Sequence, residues 1–366
     1  MVVPMDAAVM HNGVPPETPA AMPVQDLHVF PKSARRKPVR PGGWRTAMAA
    51  RAFVLSGTLV LAGIAIDQMH LVLKIDGLTL VEMLVLGLFA INILWIALPF
   101  MTALAGLVRL LLRRHEERDR RPLASRTAIL QPVYNEEPAA VAAALHAMGR
   151  ELVRLGEGHA FDVFILSDTN DAALALAEQE AVWTLRRRLG DELRVYYRRR
   201  LRNTAHKAGN IRDFCRRWGR AYDHLLILDA DSLLAGTTMV ELVRRMEDDP
   251  DLGLLQTVPR LHNSTTLVGR LQQFAGSVYG PVLSAGLAWW TGKEGNFWGH
   301  NALIRTRVFM DSAGLPDLPG APPFGGPILS HDFVEAALIR RAGWSVVIAD
   351  ELEGSYEECP SSIVEL

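Results

Sequence analysis

The chain has 366 residues, enough for more than one structural unit, and its 39 Lys plus Arg nearly balance its 40 Asp plus Glu. Overall charge therefore excludes any inference of nucleic acid or another strongly charged partner. Hydrophobic residues make up 49% and mean hydropathy is slightly positive, an excess that demands a local explanation. The two cysteines, Cys215 and Cys359, form neither a metal-spaced cluster nor a disulfide framework, which fits a reducing compartment.

Residues 1–45 are rich in Pro, Ala and Met with little periodicity, and are expected to be a disordered cytoplasmic tail. They contain no apolar core followed by a small-residue cleavage site, so no secretory signal is read there. The apolar excess lies in Ala52 to Leu73 and Leu78 to Leu98, continuing through Pro99 to Leu112. A membrane span needs about 20 apolar residues, and both runs reach it; a buried hairpin of core helices is the competing reading. Basic residues flank the pair: Lys32, Arg35, Arg36, Lys37, Arg40, Arg45 and Arg51 before it, Arg113, Arg114, Arg118, Arg120 and Arg121 after. The positive-inside bias then places tail and main domain in the cytoplasm. Pro99 is expected to break the second helix, leaving Phe100 to Arg114 as an interfacial helix within a 46–115 membrane segment.

From Thr127 the pattern alternates. Strands are predicted at Ala128–Gln131, Asp162–Leu166, Leu193–Tyr197 and Leu225–Leu228, and helices at Pro138–Leu155, Ala172–Leu189 and Gly209–Trp218. Such alternation indicates βαβ units and a mostly parallel α/β sheet.

The strand ends carry the chemistry. Leu226-Ile-Leu-Asp-Ala-Asp-Ser232 puts Asp229 and Asp231 at a carboxyl end, where ligands of open α/β sheets bind. Paired carboxylates there suit a hard divalent cation, although a strand-end turn is an equally simple account. Pro132-Val-Tyr-Asn-Glu-Glu137 follows the first strand and Ser167-Asp-Thr-Asn170 the second. Helix capping would account for each alone, because Asn, Asp and Ser are ordinary caps, but not for their convergence on one crevice. Tyr134 is suited to stack on a base and Asp168 to accept a uracil N–H. Lys207, in a small-residue turn at a helix start, is suited to a diphosphate. The run Tyr196 to Arg202 reads as a solvated or lipid-facing basic patch, with substrate contact as the alternative. Trp289, Trp290, Phe297 and Trp298 crowd a Gly-rich stretch, either as core or as a sugar platform. Asp332, before the amphipathic segment Val334 to Ala342, is either a cap or a general base.

In order, Pro132-Val-Tyr-Asn-Glu, Asp168, Asp229-Ala-Asp231 and Ser330-His-Asp332 resemble the pattern of inverting family 2 glycosyltransferases of the GT-A (Rossmann-like) fold. The longer blocks Lys207-Ala-Gly-Asn-Ile-Arg-Asp-Phe-Cys, Trp298-Gly-His-Asn-Ala and Ser330-His-Asp-Phe-Val-Glu-Ala-Ala337 resemble the branch that makes the β-1,2-linked backbone of osmoregulated periplasmic glucans. The resemblance covers the chain from Ala52 onward. It implies a bacterial inner-membrane hexosyltransferase whose cytoplasmic GT-A domain spans 125–366 and follows two transmembrane helices. It implies Mg2+ or Mn2+ on Asp229 and Asp231. Pro132, Tyr134, Glu136, Asp168, Lys207 and Asp229 would bind the nucleotide sugar, Asp332 would be the catalytic base, and Trp298, His300 and His331 would face the acceptor. The implied partners are UDP-glucose, a growing β-glucan, membrane lipid and periplasmic glucan-processing proteins, with no nucleic acid. No Arg-Trp acceptor motif follows Asp332, so the sequence is expected to be an amino-terminal part of such an enzyme. Another processive family 2 enzyme of the cellulose-synthase kind, or a non-catalytic nucleotide-sugar-binding module, are the alternatives.

Overall fold

The computed structural model describes residues 13–29, 36–37, 44–75, 77–113, 121–321 and 325–359. In chain order the elements are α1 (Trp44–Leu73), α2 (Leu80–Leu112), β1 (Thr127–Val133), α3 (Pro138–Arg154), β2 (Phe161–Ser167), α4 (Ala172–Leu189), β3 (Arg194–Arg199), α5 (His206–Trp218), β4 (His224–Ile227), β5 (Leu233–Leu234), α6 (Gly236–Asp248), β6 (Leu252–Thr257), β7 (Arg260–His262), α7 (Leu267–Thr291), β8 (Ala302–Arg305), α8 (Thr306–Ser312), α9 (His331–Arg341), β9 (Ser345–Ala349) and β10 (Ser355–Glu358). They divide into an α/β unit (Met1–Arg40, Arg118–Asn263, Asn296–Cys359) and a helical unit (Pro41–Glu117, Ser264–Gly295, Pro360–Leu366).

The α/β unit is built on a seven-stranded sheet of order β3-β2-β1-β4-β8-β6-β9, accompanied by a small sheet β5-β10-β7. β2 (FDVFILS) and β4 (HLLI) are buried at every residue, the signature of strands covered on both faces. Leu145 and Met148 of α3, Val182 of α4 and Met239 of α6 share one apolar layer. Ile211, Phe214 and Trp218 of α5, Phe309 of α8 and Ile339 of α9 share the other. β1 pairs parallel with β2 and β4, and β2 with β3. β8 runs antiparallel between β4 and β6, pairing Ala302 with both Ile227 and Gln256. This reversal delivers the segment before β8 to the edge where β1, β2 and β4 end.

The tail differs from expectation. The described part of it packs on the α/β unit: Met22 is buried in the second apolar layer, and Thr18 and Ala20 N–H donate to the Arg217 and Arg216 carbonyls. Trp218 Nε1 donates to Pro15 O at 3.0 Å, and the Arg36 guanidinium lies over Trp344. An extended, proline-punctuated strap needs no helical or strand period to fold, because it borrows an existing surface. Residues 1–12, 30–35 and 38–43, including Lys32, Arg35 and Arg40, and also Arg114, Arg118 and Arg120, lie outside the described residues.

In the helical unit, α1 and α2 are both long and apolar enough to cross a membrane. A capping box between Thr79 and Glu82 starts α2. The expected break at Pro99 does not occur, and α2 runs through it to Leu112. The turns after Pro99 are held from outside. A Cβ on Gly106 would sit 1.8 Å from the Val282 carbonyl oxygen of α7, and one on Gly286 of α7 would sit 1.9 Å from that of Thr102. Neighbouring helices and close backbone approach are what make proline tolerable in such helices. α7 thus belongs to the helical unit, which narrows the expected 125–366 domain. Its Trp289 and Trp290 pack with Val54, Met101 and Ala105 rather than lining a sugar platform.

Candidate active site

The turns after β1 and β2 are one hydrogen-bonded body. Asn135 adopts a left-handed conformation (φ 58°), and its Oδ1 accepts from the Asn170 and Asp171 N–H groups while Nδ2 donates to Asn170 Oδ1 at 2.8 Å. Asn170 Nδ2 donates to the half-exposed Tyr134 hydroxyl at 3.2 Å. The Asp168 carboxylate is nearly buried, and Arg200 grips it through Nε at 2.7 Å and Nη2 at 2.6 Å. A bidentate pair of this kind fixes a carboxylate in orientation as well as in charge.

The basic run on β3 and after it is divided: Arg199 and Arg202 are exposed, whereas Arg198 and Arg200 turn to protein partners. Arg198 is buried, with its guanidinium on the Asn210 side chain and carbonyl and 3.1 Å from Asp213; burial above all lowers it to about 10. Arg199 Nε donates to the Thr169 carbonyl. These arginines tie β3 to the start of α5 and to the β2 turn, because consecutive side chains of a strand point to opposite faces.

α5 begins at His206, a turn earlier than its apolar period suggests. Ala205 and His206 are both left-handed (φ 54° and 46°), and a Cβ on Gly209 would lie 1.9 Å from the Thr204 carbonyl. The small residues therefore permit a tight entry that aims Lys207. Its ammonium pairs with Asp229 and donates to the Gly299 carbonyl at 2.8 Å. Asp229 is set by Ser232 Oγ on its N–H and Gln131 Nε2 on its carbonyl. Asp231 accepts from Glu358 N–H of β10 at 3.3 Å.

Two further acids join this group. Partial burial, then Asp231 and Asp229, push the Glu136 carboxyl above its ordinary range. Burial also raises Glu357, with Asp231 and Asp229 adding to it and His300, 3.2 Å away, opposing. Among the described residues no three His, Cys, Asp or Glu side chains converge into a complete metal cage.

The loop before β8 is anchored by buried Gln256, which accepts from Trp298 N–H and donates to the His300 carbonyl, both at 2.9 Å. Gly299 (φ 90°) faces Asp332, whose Oδ2 would lie 3.5 Å from a Cβ there. Asp332 stands in the first turn of α9, where the helix dipole favours a carboxylate. His331 turns away, its Nδ1 3.3 Å from Glu335, which is 3% exposed. Burial alone would lower His331, but Glu335 holds it above its ordinary value; burial raises Glu335 despite His331.

Asp229, Asp231, Lys207, the Trp298–His300 loop and Asp332 thus meet at the carboxyl edge, with Tyr134 and Asp168 on the adjoining strand ends. Pro132 is the penultimate residue of β1. Arg200, Gln256, Glu335 and Glu357 escaped the reading of the sequence. Arg200, inside an already noted basic run, and Glu335, inside the Ser330–Ala337 block, left a trace there.

The sequence profile of a family described as glycosyltransferase like family 2 matches residues 126–353. A protein of Vibrio cholerae serotype O1 named glucans biosynthesis glucosyltransferase H is 54% identical over 97% of this chain and 49% of its own length. One of the same name from Shewanella sp. (strain ANA-3) is 55% identical over 100% of this chain and 50% of its own. The chain spans about half the length of the curated relatives it matches. A solved mannosyltransferase from Pyrobaculum calidifontis, in complex with GDP-Man and Mn2+, aligns over 68% of this chain and 61% of its own at a TM-score of 0.48 and 16% identity. With its profile matched along most of the sequence, from β1 to the turn before β10, this chain belongs to the glycosyltransferase like family 2.

Proposed function

We propose that this chain forms the UDP-glucose-binding and catalytic part of an inverting glucosyltransferase that builds the β-1,2-linked backbone of osmoregulated periplasmic glucans. The supporting observation is the meeting of Asp229, Asp231, Lys207 and Asp332 at one sheet edge. The name shared by relatives at 54–55% identity agrees with it.

Tyr134 and the Asn135–Asn170 pair offer the base a stacking face with polar rims. Asp168, held still by Arg200, keeps lone pairs for a uracil N–H. The donor set fits a divalent metal ion: the oxygens are hard carboxylates, burial and then the neighbouring Asp231 and Asp229 raise Glu136 and Glu357, and among the described residues there is no complete cage, which suits a cation shared with phosphates. When bound by Asp229 and Asp231, Mg2+ or Mn2+ would offset charge developing on the leaving diphosphate. Lys207 adds a cation at the same place. Asp332 takes the proton of the acceptor hydroxyl, whose oxygen attacks the anomeric carbon in line as the bond to UDP breaks; the electron pair leaves on the diphosphate, and α becomes β. Trp298 and His300 border the acceptor, with His331 paired to Glu335 one turn along α9. The two long helices hold the chain in the bacterial inner membrane, with the α/β unit cytoplasmic.

Calorimetry with UDP, with and without MnCl2, tests the donor site directly. Metal-dependent saturable binding is expected, and its absence in folded protein would overturn the reading. With the complete protein in lipid, radiolabelled UDP-glucose should yield a β-glucan.

A further inference from the structure

Glu178 of α4 is the acid that the reaction scheme leaves unused. It is 5% exposed and lies behind the nucleoside end of the site, so it touches no substrate. An unpaired carboxylate in that position would be costly, but both oxygens are satisfied. The Tyr197 hydroxyl donates to Oε2 at 2.8 Å and the Thr169 hydroxyl to Oε1 at 2.5 Å. Thr169 Oγ1 in turn accepts the Asn135 N–H at 3.0 Å, and Asn135 holds Asn170, which holds Tyr134.

The direction of these bonds matters. An ionised carboxylate only accepts, so it obliges Tyr197 and Thr169 both to donate. Thr169, having spent its proton on Glu178, presents only lone pairs to the turn after β1, and the Asn135 N–H is the donor that meets them. That bond helps hold Asn135 in its left-handed conformation, a region that asparagine tolerates better than most non-glycine residues. We propose that Glu178 is the positioning residue of the nucleoside site: its buried carboxylate sets the polarity of the chain Tyr197–Glu178–Thr169–Asn135–Asn170–Tyr134, and so fixes the base-binding turns before the nucleotide arrives. This rests on the donor-site reading above and names its regulator of base recognition.

Glu178→Gln is the sharp test. It keeps size and removes charge, but one amide face now donates, so one hydroxyl must reverse or lose its partner. UDP affinity by calorimetry should fall by about ten-fold, the scale of one well-made hydrogen bond to a charged group, and preference for UDP over ADP should narrow. Thr169→Val should do the same and Thr169→Ser should not. The Glu178→Gln/Thr169→Val pair should lose less than the sum of its singles, because both cut one chain. Amide hydrogen exchange supplies an arm independent of nucleotide: the 134–135 and 169–171 amides should exchange faster in Glu178→Gln while the β4 amides do not. Folded Glu178→Gln with wild-type exchange in those turns overturns the proposal, as does unchanged UDP affinity and base preference. A wild-type protein that binds no UDP, yet shows the exchange difference, overturns the donor reading and leaves the positioning role standing.

Discussion

The two ends of the crevice are built on opposite principles. At the proposed nucleoside end, Asp168 and Glu178 are buried and their oxygens are occupied by Arg200, Thr169 and Tyr197. At the carboxylate end, Glu136, Asp229, Asp231 and Glu357 crowd together against Lys207 and His300, and two of the acids are driven upward by burial and then by their neighbours. The first end is finished before any ligand arrives, which suits recognition, since preorganised groups lose little on binding. The second gathers acids around one lysine and one histidine, which would suit the proposed cation and chemistry on a diphosphate. On the proposed reading, full hydrogen bonding marks the recognition end of the site and crowded acids its reacting end.

The strongest way to break this division is at Asp332. In the complete protein Asp332→Asn should cost ~100- to 10,000-fold in polymerisation rate, the usual worth of a general base, with UDP affinity unchanged. A large loss of UDP affinity instead would move Asp332 to the donor side. Asp231→Asn comes next: metal-dependent UDP affinity should drop by about ten-fold, or ~1.4 kcal/mol, and Glu136 and Glu357 should titrate closer to ordinary values by NMR. Unchanged metal dependence would remove Asp231 from the cation site.

The His331–Glu335 pair under α9 should appear in stability. Both groups are held above their ordinary values, so the folded state binds more protons than the unfolded chain. The histidine's share is complete below its ordinary value of 6.5 and is lost as pH rises through its raised folded value, while the share of Glu335 is complete only below its own ordinary value of 4.5. Thermal melts should fall in that window, and His331→Gln should flatten the fall; an unaltered slope would assign it elsewhere. The smallest effect expected is Tyr134→Phe, which removes one exposed acceptor and should weaken UDP by about three-fold, under ~1 kcal/mol.

What could be read in the sequence follows from local pattern. β2 and β4 announce themselves because a doubly covered strand must be apolar throughout. Asp168, Asp229 and Asp231 stand out because nothing in an apolar run accounts for a carboxylate at its end. Arg200 carried no such mark. Five arginines occur between Arg194 and Arg202, and only the pleat of β3 and the turn after it decide which one meets Asp168. Likewise α7 has the composition of a core helix, and its place beside α2 depends on Gly106 and Gly286, residues 180 positions apart in the chain.

The sequence by itself determined the alternation of strands and helices, the two long apolar helices, and the acids and the lysine at the strand ends, since each is written in neighbouring residues through burial period and charge. Tertiary structure alone decided the antiparallel insertion of β8, which brings Trp298 to His300 and Asp332 to the crevice. It also decided the strap of residues 13–29, the helix that runs on through Pro99, and the partners of Glu178 and Glu335. These rest on contacts between distant segments, where a hydrogen bond or a close backbone approach is fixed by three-dimensional fit and leaves no period in the chain.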